Sequence, residues 1–222
     1  MEKVSSGAEF LDGLLNGGYD KDVVTTIYGP SGTGKTNLCL LSAVGVALAG
    51  KKVIFIDTEG GIAVERIKQI ATDYEKVLGN LIFFNPLSFS EQIEVFETLR
   101  EMVSSSVGMV IVDSISMLYR LELGKSEDIY DVNSSLGRQI AYLVEIARRH
   151  KIPVLITNQV YADFHSKKVK MVGGDLMKYG SKCLIELDRS DSDRSFILRK
   201  HRHLPEGINV KFNIIQEGLE KV

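Results

Sequence analysis

Short apolar runs alternate with longer amphipathic stretches along most of the chain, and the hydrophobic period switches between two and 3.6 residues. Runs rich in β-branched and aliphatic residues at 23–28, 53–57, 81–85, 109–112 and 153–157 predict strands. Between them, residues 38–49, 63–74, 90–104 and 134–150 predict helices. Three further runs, 183–187, 195–200 and 209–215, follow one another more closely and predict antiparallel strands at one side. Strands separated by helices imply an α/β fold, a mostly parallel sheet covered on both faces. Segments 121–133, 161–174 and 190–194 fit neither period and read as loops, the longer two of a length that is functional or mobile in such a domain. No internal repeat or low-complexity tract interrupts the pattern.

The composition adds a compact core and removes several classes. The 222 residues are 44% hydrophobic with a mean hydropathy of +0.03, enough to bury one large core, so a single domain over 1–222 is expected. No charged and apolar leader opens the sequence and no run approaches a membrane span, so a cytoplasmic protein with no membrane partner is expected. Cys39 and Cys183 cannot build a disulfide framework and read as small core residues. A net charge of -2 argues against wholesale electrostatic binding of nucleic acid but permits a local basic patch.

Chemistry enters with Gly29-Pro30-Ser31-Gly32-Thr33-Gly34-Lys35-Thr36, the G-x-x-x-x-G-K-[ST] pattern of a phosphate-binding loop. Glycines let the backbone curl its N–H groups around phosphates, Lys35 neutralises the outer oxygens, and the Thr36 hydroxyl ligates Mg²⁺. A strand precedes the loop and a helix follows it, the context that this chemistry needs. ATP and Mg are therefore the expected cofactors. Asp113 ends the apolar strand Met109-Val110-Ile111-Val112, which suits a carboxylate beside the Mg²⁺ shell opposite Thr36. Glu59, just after the strand ending in Asp57, can polarise a water in line with the γ-phosphate; otherwise it is a surface helix cap.

The phrases Ile56-Asp57-Thr58-Glu59-Gly60 with Glu65-Arg66, Asp113-Ser114 with Leu118-Tyr119-Arg120, Ile156-Thr157-Asn158-Gln159-Val160, Gly173-Gly174 and Leu204-Pro205-Glu206 occur in this order. Together with the opening Ser5-Ser6-Gly7 to Gly17-Gly18, they make the chain resemble the RecA-type recombinase core of the archaeal and eukaryotic branch, nearest its short archaeal accessory members. The resemblance implies a RecA-like P-loop ATPase fold, with Glu59 as the water-activating base, Gln159 as a γ-phosphate sensor opening a DNA-facing loop, and Arg66 lying against adenine. It implies a DNA repair and recombination role, with DNA and the main recombinase as partners, and weak ATP hydrolysis. The given sequence begins at the ATPase core and shows neither the helical DNA-binding domain nor the polymerisation strand of full-length recombinases. An accessory role and a weak homo-oligomer are expected on that ground, and the resemblance adds a junction-processing nuclease as a further expected partner.

The second DNA loop carries Lys167, Lys168 and Lys170; the first, between Arg120 and Arg138, mixes cations with acids. Modest phosphate contact with single-stranded or branched DNA is expected, against the alternative of an ordinary solvated loop. In the basic run from Arg199 to His203, strand alternation would put Lys200 and Arg202 on one face, to act in trans on a neighbour's γ-phosphate, bind DNA, or sit solvated. Two other activities stay open: DNA-stimulated strand exchange, and a KaiC-like regulatory ATPase without DNA.

Overall fold

The alternation is realised in a computed structural model, which describes residues 2–162, 169–190 and 193–222. In chain order the elements are β1 (Lys3–Val4), α1 (Glu9–Leu14), β2 (Tyr19–Asp20), β3 (Val24–Tyr28), α2 (Lys35–Leu48), β4 (Lys52–Asp57), α3 (Val64–Ile70), α4 (Tyr74–Asn80), β5 (Leu81–Phe84), α5 (Phe89–Met102) and β6 (Val107–Asp113). There follow α6 (Met117–Leu123), α7 (Ile129–His150), β7 (Val154–Asn158), β8 (Val160–Ala162), β9 (Val169–Met171), α8 (Gly174–Gly180), β10 (Cys183–Ser190), β11 (Asp193–Lys200), β12 (Asn209–Ile215) and β13 (Gly218–Lys221).

Nine strands form one sheet in the order β13-β12-β11-β10-β3-β7-β6-β4-β5. Pairing is parallel from β10 through β5 and antiparallel from β10 out to β13, as the spacing of the runs predicts. The inner parallel strands β3, β6 and β7 are buried on both faces, so they read as β-branched and aliphatic runs instead of alternating ones, whereas the edge strand β5 is only half-buried. One core packs α5, α6, α7 and α8 on the first face, with Phe96 and Leu143 fully buried. The other packs α1 to α4 and the antiparallel strands on the second face, around Phe55 and Phe212. Both cysteines are buried, as expected of small core residues. Among the described residues no helix is long and apolar enough to cross a membrane.

Element boundaries depart from the periodicity where side chains cap the backbone. The helix expected over 63–74 is two helices, because α3 stops at Ile70 and Asp73 opens α4 by accepting from the Lys76 N–H at 3.3 Å. The loop expected over 121–133 is mostly helical: α6 runs to Leu123, and Asp128 caps α7 five residues before the predicted start by accepting from the Asp131 N–H at 3.0 Å. The loop expected over 161–174 contains the β8–β9 hairpin and leads through Gly173, at φ 71°, into α8. The 190–194 segment joins β10 to β11, which pair from Ser190 and Asp193 inward.

These assignments have measurable weights. Phe96→Ala should cost about 3–5 kcal/mol by opening a cavity, and Asp73→Ala about 1 kcal/mol by removing the α4 cap. Urea unfolding should show both as a lower midpoint at unchanged slope.

Candidate nucleotide site and the loops beside it

Four parallel strands, β3, β4, β6 and β7, end at the same edge of the sheet, where α/β folds place their ligands. The loop from Gly29 to Gly34 leaves β3 and turns into α2 at Lys35. Gly29, Gly32 and Gly34 have φ of 154°, 75° and 106°, conformations that side chains rarely adopt. Position 29 has no room either, since a Cβ there would stand 2.0 Å from the Leu187 carbonyl oxygen of β10. The Thr33 hydroxyl donates to the Pro30 carbonyl at 2.9 Å, which closes the turn. Lys35 is buried and its Nζ donates to the carbonyls of Gly29 and Pro30, both at 2.9 Å. Burial depresses its pKa, and the charges of Glu59 and Asp113 pull it back up.

Register places Asp57 of β4 directly beside Asp113 of β6. Asp113 accepts from the Thr157 hydroxyl at the end of β7, and Thr36 also donates to it. Burial raises the Asp113 pKa, the hydrogen bonds from Thr157 and Thr36 oppose that, and the Glu59 and Asp57 charges add to it. The Asp113–Ser114 peptide is cis. Asp57 gathers the backbone N–H groups of Glu59, Gly60, Gly61 and Ile62 at 3.1, 2.8, 3.4 and 3.3 Å, thereby fixing the loop that carries Glu59.

Glu59 and Gln159 meet across the edge: Gln159 Nε2 donates to Glu59 Oε1 at 2.8 Å. The same amide accepts from Arg120 Nη1 at 2.9 Å through its oxygen, and its backbone N–H is held by Ser116 Oγ at 3.2 Å. An exposed arginine on α6 is thus wired through one glutamine to the carboxylate facing the phosphate loop.

Arg66 is placed by four partners: Asn37 Oδ1 at 2.8 Å, Gln69 Oε1 at 2.9 Å, and the carbonyls of Ile215 and Gln216 at 3.0 and 2.9 Å. It clamps the β12–β13 turn onto the first turn of α2. Two other arginines by the phosphate loop escaped the sequence reading. Arg194 Nε donates to the Gly32 carbonyl at 3.3 Å, and Arg189 Nη1 lies 3.8 Å from where a Gly32 Cβ would be. Their only linear signal is a pair of cations flanking a short hairpin.

Arg138 is exposed on α7 and Lys170 on β9, where it pairs across from Tyr161. Lys167 and Lys168 lie outside the described residues. The alternation argument for Lys200 and Arg202 fails, because β11 ends at Lys200 and Arg202 falls in the turn beyond it. Lys200 donates to the carbonyls of Lys178 and Ser181 at 2.7 and 2.8 Å, closing the end of α8. Arg202 pairs with Asp22 at 2.8 Å.

The donor set fits a nucleoside triphosphate with Mg²⁺. Thr36 and Asp113 offer adjacent hard oxygens, and among the described residues no group of three His, Cys, Asp or Glu could hold a metal by itself.

Residues 1–222 match the family model described as Rad51. The chain is similar to a DNA repair and recombination protein RadB of Methanococcus maripaludis, 43% identical over 212 residues that cover 95% of this chain and 96% of that protein. A RadB of Thermococcus gammatolerans is 39% identical over 225 residues, covering 99% of each. A solved structure described as that of the RadB recombinase shares 37% identity with a TM-score of 0.85, again covering 99% of both chains.

Gly29→Ala should abolish tight binding of a labelled ATP analogue, because the added methyl drives the phosphate loop off β10. Retained affinity would show that the loop can reshape without that contact.

Proposed function

This chain belongs to the Rad51 family, and we propose that within it the protein is an ATP-binding, weakly hydrolysing accessory factor of DNA repair and recombination, which binds DNA and assists the main recombinase without exchanging strands itself. The observation that carries the reading is the line of hydrogen bonds from Arg120 through Gln159 to Glu59.

The phosphate loop and Lys35 bind the triphosphate, and Thr36 and Asp113 hold the Mg²⁺. Mg²⁺ held there by Thr36 and Asp113 would supply neutralisation of charge on the outer phosphates. Glu59 orients the attacking water, and Gln159 reports the γ-phosphate. Arg66 lies beside the base, held there by the β12–β13 turn. In the arrangement described, Gln159 is bonded to Glu59, and the two groups that would handle the water hold each other. A DNA phosphate competing for Arg120 loosens Gln159, so nucleotide state and DNA occupancy are coupled. ATP then acts mainly as a switch, with slow hydrolysis resetting it.

The accessory role is supported by the modest charge at the DNA-facing edge. Arg120, Arg138 and Lys170 are its exposed cations among the sequence candidates that can be placed, and Glu122, Glu127, Asp128 and Asp131 lie among them along the chain. That suits a few phosphate contacts and low affinity. Lys200 and Arg202 stay with the fold in this reading. Turnover measured with and without single-stranded and branched DNA, beside a strand-exchange assay, tests the whole: robust exchange by this protein alone would replace the accessory role, and no DNA binding at low salt would favour a regulatory ATPase.

Three variants test the parts. Lys35→Ala should lose tight ATP binding, whereas Glu59→Gln should bind ATP nearly as the parent does and lose hydrolysis, seen by equilibrium binding and single-turnover assays. Arg120→Ala should leave ATP affinity intact and remove any effect of DNA on turnover; DNA stimulation persisting in it would cut Arg120 out of the coupling. Separately, replacing Lys167, Lys168 and Lys170 together with Ala should flatten the log-log salt dependence of single-strand binding by about 0.7 per lost contact.

A further inference from the structure

The face of the sheet that carries α2 runs on past the core into two arginines. Along β10, Cys183, Ile185 and Leu187 point to that face, and Arg189 is next in the alternation. On β11, Phe196 and Leu198 do the same, and Arg194 lies directly across from Arg189. Two like charges opposite each other on one side of a strand pair cost stability. The acids beside them alternate to the other face, where Asp193 pairs with Lys211 at 2.7 Å and Asp188 takes the Arg189 backbone N–H at 2.8 Å. Sequences break a local rule of this kind where function requires it.

The pair faces the phosphate loop. Arg194 is half-buried, with the buried Phe212 of β12 as its neighbour on the other side, and its Nε donates to the Gly32 carbonyl at 3.3 Å. Arg189 is exposed, and its Nη1 lies 3.8 Å from where a Gly32 Cβ would be. Of the two, Arg194 is the one bonded to the loop.

The carbonyl that Arg194 holds belongs to the same peptide unit as the Thr33 N–H. A trans peptide is planar, so its C=O and N–H point in opposite directions. With the carbonyl of exposed Gly32 turned out to Arg194, the N–H of buried Thr33 is turned in, toward the hollow around which the loop curls. A cation on the oxygen polarises the unit and makes its N–H a stronger donor, as in any chain of hydrogen bonds. It also fixes the direction of a peptide that follows a glycine at φ 75° and would otherwise turn freely.

We propose that Arg194 is a positioning residue for the nucleotide phosphates: by fixing and polarising the Gly32–Thr33 peptide, it aims the Thr33 N–H before the nucleotide arrives. This rests on the phosphate loop being the nucleotide site proposed above, and adds to that site a residue from the β10–β11 hairpin.

NMR of the nucleotide-free protein and equilibrium binding of labelled ADP and ATP test it together, with urea unfolding beside them. In Arg194→Ala the Thr33 amide proton should move upfield. Both nucleotides should bind about 10-fold more weakly, since backbone N–H groups serve the α- and β-phosphates that ADP retains. The urea midpoint should not fall, because a like-charge pair has been relieved, whereas a merely structural arginine would lower it. Arg194→Lys keeps a cation able to reach the carbonyl and should recover most of the affinity. Arg189→Ala removes the same charge from the same face and leaves the bond, so it should bind within about twofold of the parent at moderate salt.

A parent that binds neither nucleotide overturns the nucleotide reading and this role with it. A parent that binds, with Arg194→Ala matching it or matching Arg189→Ala, overturns the role alone, as does an unmoved Thr33 amide. Loss of ATP affinity with ADP unchanged would put Arg194 on the γ-phosphate itself and overturn the relay through the peptide.

Discussion

Burying the Asp113 carboxylate at the end of β6 is the constraint on which the candidate site depends. Taking a carboxylate out of water disfavours its charge, and the neighbouring Asp57 and Glu59 make that worse. Thr157 and Thr36 answer with hydrogen bonds, and the buried ammonium of Lys35 lies within electrostatic reach. Asp57 has its own solution, four backbone N–H groups of the loop it anchors. Each solution also fixes something else: β7 against β6 at their ends, the first turn of α2 against β6, and the position of Glu59. Acidity is concentrated where a cation is to be held, and the strand ends are built around it.

The inner parallel strands were legible in the sequence because both of their faces are buried, so β-branched and aliphatic residues run through them without polar alternation. The phosphate loop was legible because its chemistry is local, eight consecutive residues that need no distant partner. Helix ends were less so. Asp73 and Asp128 look like ordinary surface acids until their carboxylates are seen to take backbone N–H groups, and each of them starts a helix that hydrophobic spacing alone does not.

What could not be read was mostly side chain to backbone carbonyl. Arg66, Arg194 and Lys200 all donate to carbonyls, and any residue can supply one, so the sequence carries no mark of the partner. Nothing in the sequence marks the hydrogen bond from Arg120 to Gln159, 39 positions away. For Lys200 and Arg202 the error was geometric. Alternation holds only inside a strand, and the strand stops at Lys200, two residues short of Arg202.

The phosphate loop rests on late parts of the chain. Gly29 is pressed against Leu187 of β10, Gly34 lies against Ile214 and Phe212 of β12, and Arg66 ties the following turn to α2. A nascent chain that has just emerged with its phosphate loop, and even with the whole of β3 to β7, therefore lacks the surface that holds the loop in shape. The eight residues that look self-contained in the sequence thus take their final shape only once β10 and β12 have joined the sheet.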